Sequence, residues 1–406
     1  MTTGPVVASR SKTRGVVLNL IRAARTVSRV ELAADSGLTS PTITQVVREL
    51  MDHGLVVEVG RGTSTGGKPP TLLQLNPQAR YSVGLLFERN ACVVVIVDLA
   101  GQLVARTSFH GTELLPPEQA LPLVAARVNA LLSSVGVERG KVLGVGLVSY
   151  GPQDRQAGVL LTHQPTAEWL GYPIARRLSE LLELPVLLDN DAAAAAMGEY
   201  WLGAVDQHST FGCIYMASGI GGAVVSGGEV FRGSSSNSVE IGHICVDLDG
   251  EECDCGNRGC LEHYAGPPAV IRQAFEADGL GWRLGLDPLG IDCLGDFGRI
   301  AAAAEAGDAT ARGLIERSAS YLGAAAVTMA TLFDLDLIVL AGHSFAAAGS
   351  IYRPLIEREV QRRTFARRAH PVRVVQSVSG SDAAAIGGAV LVLQSELAIL
   401  DLPQPD

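Results

Sequence analysis

One strand–loop–strand–turn–strand unit is written twice in this chain, and that repeat constrains its fold more than any other feature. The first copy is "YSVGLLFERNACVVVIVDLAGQLVARTSF" at 81–109, and the second is "STFGCIYMASGIGGAVVSGGEVFR" at 209–232. Each copy has β-branched and apolar runs of strand length, bounded by Gly or polar breaks. Helical and strand segments follow each copy. The spacing predicts two α/β lobes, each opened by a hairpin, with the first loop of each hairpin facing a shared crevice.

That plan belongs to actin-like, sugar-kinase (ribonuclease H-like) bodies, which bind nucleotide phosphates between the lobes on the first loop of each copy. A chain of 406 residues is long enough for two or three domains. The 46 glycines and abundant alanines suit tight loops and close helix–sheet packing. We expect a first lobe over 77–204, a second over 205–380, and a C-terminal helix near 380–396 that returns to the first. No uninterrupted apolar run of about 18 residues predicts a membrane span. The opening "MTTGPVVASRSKTRG" has no apolar run like that of a secretory leader. The expected compartment is the cytoplasm.

Residues 1–76 differ from the rest. They carry nine Lys/Arg against five Asp/Glu, while the remainder carries 23 against 37. A basic segment on an acidic body points to a polyanion partner for that segment. "RGVVLNLIRAAR" (14–25) places Val17, Leu20 and Ile21 at helical spacing. Ser28 and Glu31 form a capping-box pattern before a short second helix that stops at Gly37. A third helix begins near residues 39–40 with Pro41 in its first turn. Its apolar stripe is Ile43, Val46, Val47 and Leu50. Ser40, Thr42, Thr44, Gln45 and Arg48 lie largely on the polar side, suited to base edges and phosphates. Two strands then flank "GTSTGGKPP", a wing that carries Arg61 and Lys68. Together these elements predict a winged helix-turn-helix that binds double-stranded DNA. A small helical oligomerisation module is the competing reading.

The first loops of the two hairpins are unequal. "SGIGG" offers Ser218, Gly219, Gly221 and Gly222, whose backbone can approach a phosphate closely. "FERN" (87–90) has no glycine and puts Glu88 where a phosphate would be repelled. In "LPVLLDNDAAAAAMGEYWLG" (184–203) a strand ends in Asp189, Asn190 and Asp191 before an Ala-rich helix. Strand C-termini face the ligand crevice of α/β sheets. Asp191 there could act as a general base on a sugar hydroxyl, with Asn190 holding a neighbouring one. Helix capping by Asp189, Asn190 or Asp191 is compatible with that use.

"CDCGNRGC" (253–260) spaces Cys253, Cys255 and Cys260 as C-x-C-x4-C, with Gly256 and Gly259 permitting tight turns. Upstream, "VEIGHICVDLDGEE" offers His243 and Cys245 as a fourth ligand. A strand–turn–strand over 242–253 is expected to fold His243 back over the thiols. Three thiolates and one imidazole make a closed tetrahedral site, the structural kind of zinc site. Cys92, Cys213 and Cys293 stand alone and read as core residues. Glu240 and Glu262 flank the knuckle and could each accept hydrogen bonds from vicinal hydroxyls.

"ASGIGGAVVSGGEVFRG", "EIGHICVD", "CDCGNRGCLEHYAG" and "LDNDAAAAAMGE" resemble the ROK family of repressors, open reading frames and sugar kinases. "GLTSPTITQVVRELMDHGLV" with "GGKPPTLLQLNP" resembles the DNA-binding part of its repressor branch. The likeness runs from about residue 14 to "GSDAAAIGGAVL" near 380–391. The resemblance implies that His243, Cys253, Cys255 and Cys260 bind zinc. It implies a sugar site of Asn190, Asp191, Glu240, His243 and Glu262, with Asp191 as the base in a kinase. It also implies a homodimer or homotetramer.

Several positions depart from the family's kinases. Their D-x-G-G-T loop is here Leu86, Phe87, Glu88, Arg89 and Asn90, and "VLAGHS" (339–344) lacks one glycine of their later "L-G-G". Val239 stands in "GSSSNSVEIGH" where the family usually has Gly. The expected function is therefore a transcriptional regulator, in the repressor sense, that senses a sugar or sugar derivative without phosphorylating it. An active ATP-dependent sugar kinase is the alternative. A regulator controlled by a protein partner, with no sugar ligand, is another.

Overall fold

The computed structural model describes residues 4–63, 69–88, 91–111, 115–162, 166–203, 205 and 209–399. Lys68, Arg89 and Asn90 lie outside the described residues.

The N-terminal unit holds α1 (Gly4–Ala24), β1 (Val27–Ser28), α2 (Arg29–Ser36), α3 (Ser40–Asp52), β2 (Val56–Arg61) and β3 (Thr71–Leu75). Helix α1 starts ten residues before the expected 14. Those extra residues carry no apolar stripe, so periodicity could not find them, although Pro5 suits a first helical turn. The capping box forms as the sequence predicts: the Glu31 N–H donates to Ser28 Oγ, and the Ser28 N–H donates to Glu31 Oε2 at 2.8 Å. Gly37 then ends α2 at φ +67°, a left-handed position that glycine adopts without strain. Thr39 caps α3, and Ile43, Val46, Val47 and Leu50 are buried against Val17, Ile21 and Leu32. Each such burial is worth about 1.5–3 kcal/mol, so this stripe fixes which face of α3 points outward. Strands β2 and β3 pair antiparallel, with a bulge between Glu58 and Gly60.

The body carries β4 (Tyr81–Phe87), β5 (Ala91–Asp98), β6 (Leu103–His110), α4 (Pro117–Ser134), β7 (Val142–Ser149), β8 (Gln153–Asp154), β9 (Val159–Leu160), α5 (Ile174–Leu182), β10 (Val186–Asn190) and α6 (Asp191–Trp201). Then come β11 (Phe211–Met216), β12 (Ile220–Ser226), β13 (Glu229–Val230), α7 (Glu262–Ala265), α8 (Pro267–Glu276), α9 (Leu280–Arg283), α10 (Cys293–Glu305), α11 (Ala309–Phe333), β14 (Leu337–Ala341), α12 (His343–Arg363), β15 (Arg373–Gln376) and α13 (Ala383–Ile399).

Among the described residues, two five-stranded sheets dominate, ordered β10-β7-β4-β5-β6 and β13-β12-β11-β14-β15. Each is an antiparallel meander extended by two parallel strands on its first-strand side. The written repeat is thus a repeat of topology. Helix α13 packs on β4, β5, β7 and α6. The approach is so close that a Cβ on Gly84 would lie 1.8 Å from the Ala385 carbonyl oxygen, and one on Gly146 1.9 Å from that of Gly388. Close backbone packing of this kind explains the chain's Gly and Ala content. No described helix is long and apolar enough to cross a membrane.

Candidate functional site

Strand β10 runs parallel to β7 and delivers its last residues to the crevice between the sheets. Asn190 caps α6, its Oδ1 accepting from the Ala193 N–H at 3.1 Å. Asp191 follows, 7% exposed, with Oδ1 accepting from the Ala192 N–H at 2.8 Å. Burial, then the charges of Glu88 and Glu240, push the Asp191 carboxyl up to about 8. Burial also pushes Glu88 up to about 7. Glu240 is raised by burial and by Glu262, with His243 opposing. The crevice therefore gathers carboxyls that resist ionisation together.

The "SGIGG" glycines serve the chain's own packing. A Cβ on Gly219 would lie 2.6 Å from Glu262 Oε1, one on Gly221 3.0 Å from the Ala192 side chain, and one on Gly222 2.6 Å from the Val239 carbonyl oxygen. The Ile220 N–H of this loop donates to Glu262 Oε1 at 2.5 Å. Ser218 is exposed at the turn before β12. Val239 holds φ +62°, left-handed backbone that a β-branched residue adopts only under strain, at the position where glycine is usual in the family it resembles.

Asn190, Ala193, Gly222, Arg232, Asn237 and Glu240 line a cavity of about 10 Å³, room for one water. A larger hollow of about 510 Å³ lies on the surface beside Asn129 and Leu181, away from the acids of the crevice. The small cavity is the more informative one, because the half-buried polar side chains of Asn190, Arg232, Asn237 and Glu240 converge on it.

Sequence reasoning missed what closes this cavity. Asp189 is fully buried and accepts from three guanidinium nitrogens. Arg232 Nη1 and Nη2 reach it at 2.5 and 2.8 Å, and Arg155 Nε at 3.0 Å. Asn237 Oδ1 accepts from the Gln153 N–H at 2.9 Å, while its Nδ2 donates to the Gln153 carbonyl at 3.0 Å. Arg232 and Asn237 follow β13 of the second sheet; Gln153 and Arg155 belong to the hairpin after β7 of the first. These bonds form a clasp across the crevice. Its partners are far apart in sequence and share no periodic signature. The only local sign was a charged residue, Asp189, inside an apolar strand.

His243, Cys253, Cys255 and Cys260 bring one ligand atom each to within 4.8 Å of one another. Cys253 Sγ lies 3.8 Å from His243 Nδ1, and Cys255 Sγ 3.7 Å from Cys260 Sγ. A tetrahedral ion with metal–sulfur bonds of about 2.3 Å has edges of about 3.8 Å, so the donor set fits a closed four-ligand site. The expected strand–turn–strand over 242–253 is not how His243 arrives. It sits in a 3-10 turn, Ile241–His243, and the chain returns through isolated bridges Cys245–Cys260 and Glu252–Arg258. A short turn suffices because the Asn257 side chain donates to the His243 carbonyl at 2.9 Å. Cys245 donates to the Asp247 carbonyl instead. Cys92 and Cys213 are buried, and Cys293 is partly so.

On the N-terminal unit, Ser40, Thr44, Gln45, Arg48 and Arg61 are exposed and Thr42 is half-buried. Thr44 Oγ1 donates to the Ser40 carbonyl and Gln45 Nε2 to Glu49 Oε1 at 3.2 Å. These are surface bonds that a DNA duplex could replace. The polar face of α3 is thus continuous and accessible.

The comparisons agree with this architecture. The profile described as winged helix-turn-helix DNA-binding matches residues 10–57. The xylose repressor of Bacillus spizizenii is 26% identical over 377 residues, covering 93% of each chain. A crystal structure of a ROK family transcriptional regulator, a homolog of the Escherichia coli Mlc protein, superposes with TM-score 0.75 at 25% identity, over 97% of this chain and 98% of that one. A ROK family glucokinase from Streptomyces griseus, solved with glucose and AMPPNP, matches with TM-score 0.64 at 27% identity, over 77% of this chain and 98% of its own. The ROK family profile spans residues 87–395, and with the repeated sheets, the acidic crevice and the His–Cys cluster already in place, this chain belongs to the ROK family.

Proposed function

We propose that this chain is a sugar-sensing, DNA-binding transcriptional repressor whose kinase-like body no longer transfers phosphate. The observation that carries this reading is one chain holding both an exposed polar recognition helix and a kinase-like crevice with Glu88 at its phosphate corner. The full-length likeness to repressors supports it. In this reading residues 1–76 grip the operator through Ser40, Thr42, Thr44, Gln45, Arg48, Arg61 and Lys68. Residues 77–204 with α13, and residues 205–380, form the two lobes. Asn190, Asp191, Glu240, His243 and Glu262 hold the sugar hydroxyls. A zinc ion on His243, Cys253, Cys255 and Cys260 fixes the loop that carries Glu240. It has a structural role, since four protein donors leave no open position. The protein works in the cytoplasm as a homodimer or homotetramer, so that paired heads meet a two-fold operator.

Footprinting on the DNA upstream of the chain's own gene tests the reading. A discrete protected site at moderate salt, released by one of D-xylose, D-glucose or N-acetylglucosamine, is the expected result. Protection that never rises above non-specific binding would overturn it. The retained Asp191 keeps a sugar kinase as the second reading. A coupled assay on the same sugars decides it: ATP turnover that Asp191→Asn abolishes would restore the kinase.

A further inference from the structure

The helix that begins in the acidic crevice ends against the DNA-binding head. Helix α6 opens with Asp191, is capped by Asn190, and runs eleven residues to Trp201. At 1.5 Å per residue its ends are about 16 Å apart. At the far end, Arg22 of α1 donates through Nη1 to the Trp201 carbonyl. Its guanidinium also lies over the Trp201 ring at 4.4 Å and the Tyr200 ring at 5.6 Å. Arg22 is 7% exposed and Trp201 4%.

The surroundings give this contact consequence. A helix's last carbonyls carry the negative end of its dipole and lack intrahelical partners, so a cation is favoured there. Among the described residues no carboxylate pairs with Arg22; within α1 the Asn19 Oδ1 accepts from its Nε at 3.4 Å, and on the body's side the α6 terminus and its two rings hold this nearly buried charge. Burial lowers its pKa to about 10, which leaves it charged at neutral pH. Finally, α1 is a rigid part of the head: Val17 and Ile21 share a core with Ile43, Val47 and Leu50 of α3. Behind α6, a Cβ on Gly198 would lie 3.2 Å from Gly387 of α13, so the two helices are packed backbone to backbone.

We infer that Arg22 is a positioning residue that makes the orientation of the DNA-binding head follow helix α6, and hence the occupancy of the crevice at Asn190 and Asp191. The inference rests on the crevice being the effector site. A sugar that engages Asn190 and Asp191 displaces or tilts the start of α6. Its far end carries the carbonyl and the rings that hold Arg22, so α1 and the recognition helix turn with it. By reciprocity, operator binding biases α6.

The test uses the full chain, its upstream DNA and the three sugars named above. For wild type, Arg22→Met and Arg22→Lys, operator affinity is measured with and without sugar. The ¹⁹F resonance of Trp201 is followed in 5-fluorotryptophan-labelled protein. Met retains the aliphatic stem and Lys retains the charge and a donor. In wild type, sugar weakens operator binding at least about 5-fold, the low end of usual coupling, and operator moves the Trp201 resonance. In Arg22→Met both responses shrink towards none while sugar still binds, and Arg22→Lys restores part of each. A merely stabilising Arg22 would change the melting temperature and leave the ratio of affinities at its wild-type value. That result, or a Trp201 resonance indifferent to operator in wild type, overturns the inference alone. Wild-type protein that binds no operator overturns the repressor reading and this coupling with it.

Discussion

Asp189 and Asp191 stand two residues apart and live in opposite electrostatic settings. Asp189 is met by two guanidiniums, whereas Asp191 is buried beside other carboxyls and pushed up to about 8. Strand alternation alone would put residues two apart on one face; the strand–helix junction after Asn190 is what turns Asp191 to different neighbours. Glu88 shares the Asp191 side of the crevice, and burial raises it to about 7. A carboxyl whose folded pKa lies above its ordinary value of about 4.3 contributes fully to stability below that value. The contribution is lost as pH rises towards about 7 and stays lost beyond it. Glu88→Gln should therefore stabilise the fold by about 1–3 kcal/mol near pH 8 and by clearly less near pH 5. Denaturant unfolding at the two pH values reads this. A stabilisation independent of pH would mean that Glu88 is not held in its neutral form.

At the scale of elements, the His–Cys knuckle is where chain geometry and the candidate ligand site meet. Gly259 holds φ +61° and approaches Asp247 so closely that a Cβ would lie 1.8 Å from its carbonyl oxygen. The loop therefore has little freedom once its four donors converge. Cys255→Ser should remove the metal, measured as zinc per chain, and abolish the sugar response with it. Intact sugar release of operator by zinc-free protein would show that the knuckle does not shape the crevice. Elements of this kind were legible in the sequence because their signals are local: the cap at Ser28, the stripe from Ile43 to Leu50, the doubled hairpin, the C-x-C-x4-C spacing. The His–Cys loop was legible in its donors but not in its path, because isolated bridges leave no period in the sequence. The seat of Arg22 was not legible, and the clasp on Asp189 left only the sign of a charged residue in an apolar strand. Each joins residues tens to well over a hundred positions apart, Arg22 to Trp201 and Asn237 to Gln153, and tertiary packing alone brings them together.

At the scale of the whole molecule, the crevice is shut. A cavity of about 10 Å³ cannot admit a sugar, so binding requires the lobes to part or the segment after β13 to lift. Both motions break the same bonds, Arg232 to Asp189 and Asn237 to Gln153. A protein whose binding-competent state is scarce shows an affinity reduced by the fraction that is open. Weakening the clasp should then tighten apparent sugar binding, and it should weaken operator binding if the closed form is the one that grips DNA. In an Arg232→Met, Asn237→Ala double variant Asp189 keeps Arg155, so the closed form should lose only about 1–2 kcal/mol, a factor of about 5–30 in its ratio to the open form. Calorimetric titration should show sugar binding several-fold tighter, and operator binding should weaken correspondingly, because one equilibrium governs both. If sugar binding weakens while operator binding stays constant, Arg232 and Asn237 are contacts to the sugar rather than to the opposite lobe. If both tighten, the closed form is not the operator-binding one. The two titrations together therefore fix which arrangement of the lobes the DNA selects.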